Sequence, residues 1–95
     1  PPRDVPLGAG GQADPELELG RDVYGRQCTV CHGNEGQGGR GKRLNEGRAV
    51  ARYPNDVDMV AVVTNGLGSG MPSFESKLEP GEIDAVVRYV REVLD

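Results

Sequence analysis

The sequence predicts an all-α domain folded around a filling that its own side chains do not supply. Three observations lead there. Every stretch with a clear apolar period has the helical period, and none alternates like a strand. Leu, Ile, Val and Phe total only 21 of 95 residues, with no Trp, a thin core for one small domain. Finally, Cys28-Thr29-Val30-Cys31-His32 gathers two thiols and an imidazole into five residues.

The elements follow in order. Residues 1–13 hold three prolines and three glycines with few apolar anchors, and read as a tail or linker ahead of a domain at 14–95. A first helix starts at Asp14, which can N-cap, with Pro15 at the first helical position and Glu16 and Glu18 at the positive end of the dipole. Leu17, Gly20, Val23, Tyr24 and Cys28 recur at helical steps, so this face points inward. Gly20 is the odd member, because a mid-helix glycine costs about 0.5–1 kcal/mol relative to alanine. It fits a close approach by another helix.

Residues 33–48 read as loop, with six glycines that forbid a stable helix. Gly41-Lys42 is followed by Arg43, not by the Ser or Thr of a phosphate-binding P-loop. Glycine here lets the backbone wrap closely around a cofactor. A short helix is expected over Asp56–Thr64, stopped by Asn65-Gly66. A loop, Leu67 to Phe74, carries Met71. The last helix opens at Pro80, and Ile83, Val86, Val87, Val90, Val93 and Leu94 form its apolar stripe, bordered by Tyr89.

The formal charge is −4. It divides as −3 over residues 1–35, +4 over 36–53 and −5 over 54–95. A dipolar surface of this kind steers docking, and the acidic balance gives no support for nucleic-acid binding. No apolar run approaches the ~20 residues needed to cross a bilayer. The start, Pro1-Pro2-Arg3-Asp4-Val5-Pro6, lacks the basic and apolar regions of a signal peptide. The expectation is a soluble, mature or trimmed chain whose targeting segment has been removed.

Two cysteines two residues apart with a histidine directly after form the attachment signature of a c-type haem. The thiols add across the two porphyrin vinyl groups, and the adjacent imidazole becomes an axial ligand of the iron. A structural zinc site needs about four N or S ligands, and this chain has two cysteines and one histidine. A thioredoxin-like dithiol wants a βαβ pattern, which is absent. One covalent haem c also answers the thin core. The predicted architecture is therefore three to four helices wrapped around it.

With its one histidine used, the chain has Met59, Met71, a lysine or an open site for the sixth position. Met59 lies in a predicted helix among valines and reads as core. Met71, in a Gly-flanked loop followed by proline, is the candidate ligand. A thioether favours ferrous iron and raises the potential.

Over residues 14–95 these features resemble the class I cytochromes c in their small bacterial form. The carriers are the helix ending in Cys28-Thr29-Val30-Cys31-His32-Gly33, the loop Gly70-Met71-Pro72-Ser73-Phe74, and the C-terminal helix with Tyr89. The resemblance implies that Gly20 meets Tyr89 where the terminal helices cross, with Tyr24 beside them. It implies Cys28 and Cys31 as haem attachment sites, with His32 and Met71 as axial ligands. The family's usual Gly-Pro-x-Leu, whose proline carbonyl accepts the imidazole Nδ1–H, reads Gly41-Lys42-Arg43-Leu44 here. A carbonyl at Lys42 survives that exchange, and Leu44 would pack on the haem face. Tyr53 or Arg48 would meet a propionate.

The function so implied is a monomeric one-electron carrier between a donor complex and a terminal oxidase or reductase, with no enzymatic activity of its own. Its redox partners would dock transiently by electrostatics. A second reading is a tethered haem c domain of a larger dehydrogenase or oxidase, held at a membrane complex. A third, a haem sensor or peroxidase-like protein with an open sixth position, lacks a second histidine or a distal acid–base pair. Haem c attachment implies a periplasmic or other extracytoplasmic location.

Overall fold

The computed structural model describes residues 1–95. Its helices are α1 (Pro15–Gln27), α2 (Thr29–His32), α3 (Arg48–Arg52), α4 (Asp56–Asn65) and α5 (Pro80–Tyr89), and α5 runs on as a π-helical turn over Val90–Leu94. Three are long and two are single turns, so the expected three to four becomes five. Extended pairing is limited to two isolated antiparallel bridges, Leu7–Ala13 and Leu67–Met71. No helix is long and apolar enough to cross a membrane.

α1 begins where its capping signals place it. The Asp14 carboxylate accepts from the backbone N–H of Glu16 at 2.9 Å and of Leu17 at 3.4 Å, which satisfies two otherwise orphaned donors. The expected inward face is buried at Leu17, Gly20, Val23 and Tyr24. α5 starts behind Glu79, whose N–H donates to Glu82 Oε1 at 2.8 Å. Its whole apolar stripe, Ile83 to Leu94, is buried. Each such aliphatic side chain is worth about 1.5–3 kcal/mol when fully buried.

The two helices pack directly on each other, and Gly20 is the reason they can. A Cβ there would lie 2.2 Å from the Ala85 carbonyl oxygen and 2.7 Å from Tyr89 Cβ, closer than any real contact. Beside this crossing the Tyr24 and Tyr89 rings sit 5.6 Å apart and tilted by 47°. Tyr89 does more than border the stripe. It is fully buried, and its hydroxyl donates to the Arg3 carbonyl at 2.6 Å. Burial raises the Tyr89 pKa to about 12, because the phenolate would lose its solvation.

That bond marks a difference from the sequence reading of residues 1–13. They hold no helix, but their first part is not loose. Val5 is buried. Arg21 on α1 donates to the Pro2 carbonyl at 2.8 Å and pairs with Asp4 at 3.1 Å. Arg3 donates to the Val93 carbonyl at 2.9 Å and pairs with Glu35. Residues 2–5 thus form a strap across α1 and α5, held mainly through backbone carbonyls that composition does not reveal.

A second difference is α3, which begins at Arg48, the last residue of the predicted loop. It has no side-chain cap of its own. Its first turn is held from the far end of the chain, where the Asp95 carboxylate accepts from the N–H groups of Gly47 and Val50. Arg91, on the π-helical turn, donates to the carbonyls of Tyr53 at 2.5 Å and Pro54 at 3.0 Å. α4 extends one residue past the expected Thr64 and buries Met59 and Val63.

Candidate functional site

α1 ends at the residue before Cys28, and the next turn of chain is α2. The Cys28 N–H still donates to Tyr24 O at 2.9 Å, and the His32 N–H donates to Cys28 O at 3.0 Å. Backbone bonding thus continues through the motif and fixes both thiols and the imidazole to the end of α1. Both cysteines are free and half-buried. Burial, with the neighbouring Cys31 adding to it, pushes the Cys28 thiol up to about 12. A thiol held neutral in this way is a poor redox dithiol.

The glycine loop folds back onto this motif. The Gly41 N–H donates to Cys31 O at 2.7 Å, and the Gly38 N–H to His32 O at 2.8 Å. A Cβ on Gly41 would stand 2.8 Å from His32 Cε1 and 2.9 Å from Nδ1, so only glycine lets the backbone pass so near the ring. The next residue then presents its carbonyl: His32 Nδ1 lies 2.8 Å from Lys42 O. A carbonyl only accepts, so Nδ1 carries the proton and Nε2 keeps a free lone pair. A Lys42 backbone carbonyl does the work expected of a proline carbonyl at that place.

Opposite the motif lies the methionine loop. It is pinned to itself by Leu67 N–H to Met71 O at 2.9 Å, and to α4 by Phe74 N–H to Val63 O at 3.1 Å. The Ser73 hydroxyl adds a bond to Thr64 O at 2.6 Å. Between loop and motif opens a cavity of about 870 Å³, within the ~300–1,000 Å³ typical of cofactor sites. Fifteen of its 24 lining residues are hydrophobic, too apolar a wall to leave to water. Cys28, Cys31, His32, Lys42, Leu44, Met59 and Met71 all line it. A flat apolar group bonded through the two thiols and reached by His32 Nε2 fits these walls.

The structure brings together every residue expected at the site except one. Tyr53 lines the cavity, whereas Arg48 does not. Arg52, one helical turn on, lines it instead. Met59 is both core, as expected, and cavity wall. Sequence reasoning missed Arg40, Arg52 and Lys77, which are the only charged residues besides Lys42 on the wall. For Arg52 the helical period of α3 was the available signal. For Lys77 it was the spacing to Phe74, over whose ring its ammonium sits at 5.3 Å.

Fold and cavity together define the class: an electron-transfer domain that carries one covalently bound c-type haem. The family model described as cytochrome c oxidase, cbb3-type, subunit III matches residues 15–90. The chain belongs to that family, among the class I cytochromes c. It is 32% identical over 87 residues to the cbb3-type cytochrome c oxidase subunit FixP of Azorhizobium caulinodans, covering 87% of this chain but 29% of the relative. It is 34% identical over 79 residues to cytochrome c6 of Bryopsis maxima, covering 79% of this chain and 89% of that one. Among solved structures it is similar to cytochrome cL of Methylophaga aminisulfidivorans, at 25% identity and TM-score 0.75, covering 84% of this chain and 54% of that chain. The chain thus spans under a third of the FixP subunit and nearly the whole of the c6 protein.

Proposed function

We propose that this domain relays single electrons with its haem iron held between His32 and Met71, receiving them from one redox protein and delivering them to an oxidase or reductase outside the cytoplasm. The observation that carries the reading is the His32 Nδ1 to Lys42 O bond. It fixes the tautomer that leaves Nε2 free, on the wall of the same cavity that Met71 lines. Bound haem supplies the iron that alternates between ferric and ferrous. Cys28 and Cys31 hold the group, Lys42 O orients the imidazole, and Leu44 packs against it. Tyr53 and Arg52 are the propionate partners, and Met71 offers a soft donor that favours ferrous iron. With His32 and Met71 both holding the iron, no position on it would remain for a substrate, and the domain would carry electrons without catalysis of its own.

The similarity to part of a FixP subunit supports a more specific setting, in which this domain is one haem module of a membrane-bound oxidase complex. The c6 similarity supports a free carrier instead. Both use the same site.

The test is carbon monoxide binding by the ferrous holoprotein, read with the far-red sulfur-to-iron band of the ferric form. The native protein should show the band and bind carbon monoxide slowly and weakly. Met71→Ala should lose the band, bind carbon monoxide readily and have a lower reduction potential, while Met59→Ala keeps the band. A native protein that lacks the band and binds carbon monoxide at once contradicts the assignment and favours an open-site sensor.

A further inference from the structure

α3 cannot hold itself in place. It is five residues long, and a single helical turn is unstable alone in water. It has no side-chain cap of its own, and Ala49 is its one buried residue. Yet its C-terminal end carries Arg52 and, next to it, Tyr53, and both line the haem cavity. What holds α3 comes from the far end of α5. The Asp95 carboxylate accepts from the N–H groups of Gly47 and Val50, one oxygen to each, the latter at 2.8 Å. Arg91 donates to the carbonyls of Tyr53 at 2.5 Å and Pro54 at 3.0 Å. One side chain thus grips the start of α3, and the other grips the two residues just past its end.

The π-helical turn supplies the register. In a regular α-helix five residues rotate by about 500°, which leaves residue 95 about 140° round the axis from residue 90. Here the Asp95 N–H donates to Val90 O at 2.9 Å, an i to i+5 bond that brings Asp95 nearly over Val90. Val90 is buried and lines the cavity. The wide turn therefore swings Asp95 toward the cavity side of α5, within reach of α3.

We propose that Asp95 and Arg91 are positioning residues of the haem site, acting through α3 to aim Arg52 and Tyr53 at a propionate. Neither lines the cavity itself. This proposal rests on the reading that the cavity holds a haem whose propionates meet Arg52 and Tyr53. A cation beside a propionate offsets negative charge near the iron and favours the ferrous form. Asp95 carries the opposite charge, so an effect of its own charge and an effect through α3 differ in sign. Through its own charge, its removal would raise the reduction potential. Through α3, its removal frees Arg52 from the propionate, and the potential falls.

The test reads the ferrous-to-ferric ratio of the holoprotein, poised at the native midpoint potential. Arg52→Gln should lower the ratio about threefold, and Asp95→Ala should lower it too. In the Arg52→Gln background Asp95→Ala should no longer lower it. Arg91→Lys keeps the charge but loses the fork that reaches two carbonyls, and should also lower the ratio. Arg88→Lys, on the same helix but paired with Asp14, Glu16 and Glu92, should leave it unchanged. A second readout is amide exchange. The N–H groups of Ala51 and Tyr53, bonded within α3, should lose protection in Asp95→Ala while α1 keeps its own. A ratio that rises in Asp95→Ala overturns the proposal, and so does an unchanged ratio with α3 protection lost, because α3 then moves without the haem sensing it. An unchanged ratio in Arg52→Gln overturns the propionate reading together with the proposal, whereas a fall in Arg52→Gln with none in Asp95→Ala or Arg91→Lys overturns the proposal alone.

Discussion

The helix pair α1–α5 and the cavity wall are built on opposite terms. In the pair, side chains meet side chains: Val23, Tyr24, Ala85 and Tyr89 are fully buried, and Gly20 removes a Cβ so that backbone can touch backbone. Along the wall, apolar side chains from α4, α5 and two loops face a space of about 870 Å³. The pair is a finished core, and the wall is half of one. Of the chain's 21 Leu, Ile, Val and Phe residues, nine line that space. The other half is left to be filled by the haem. The sequence motif and the thin composition are then two views of one fact.

The strongest way to break this comparison is to prevent attachment. In Cys28→Ala, Cys31→Ala no covalent haem forms, and the wall loses the body it packs on. Amide exchange should show protection lost across residues 36–75, while α1 and α5 keep the greater part of whatever remains. Equal loss in both regions would mean that the pair is not self-sufficient.

The next largest effect lies inside the pair. Gly20→Val puts atoms where the Ala85 carbonyl already is, and urea unfolding of the holoprotein should show a loss of about 3 kcal/mol. Gly81, also helical, has nothing within 4 Å of its would-be Cβ. Gly81→Ala should therefore gain about 0.5–1 kcal/mol. If both changes are neutral, the two helices do not pack as closely as described.

The smallest effect is at the rim of the pair. The hydrogen bond from Arg88 holds the Asp14 carboxyl below its ordinary value. The stabilisation from this group is present above the unfolded carboxylate pKa of about 3.9 and is lost as pH falls through the lower folded value. Asp14→Asn keeps a good N-cap but loses the pairing with Arg88, so it should lower the neutral plateau slightly and flatten the acid limb, with the two profiles converging at low pH. The pair is solvent-exposed, so the change is modest.

What could be read from the sequence follows the distance over which each feature is determined. α1, the α5 stripe and the haem motif were legible, because capping, period and spacing are local signals, whereas the Gly20–Tyr89 contact was implied only by the family resemblance. The resemblance also implied a carbonyl at Lys42 beside His32, since the exchange of proline for lysine leaves the backbone intact. α3 was not legible, because its cap is Asp95, more than forty residues away. The strap at residues 2–5 was not either, because Tyr89 and Arg21 hold its carbonyls and carbonyls carry no sequence signature. Of the four cations on the cavity wall, Arg40, Lys42 and Arg52 were visible only as part of a basic stretch, and Lys77 lies outside it. Which of its members are unpaired depends on partners such as Glu46, which occupies Arg43.

The most direct measurement is the proton NMR spectrum of the ferrous holoprotein. A methionine methyl held against the iron lies over the porphyrin ring, whose current moves it far upfield. The account predicts one such methyl, absent in Met71→Leu and kept in Met59→Leu. A spectrum with no upfield methionine, or one whose signal vanishes in Met59→Leu, would contradict a wall completed by haem between His32 and Met71.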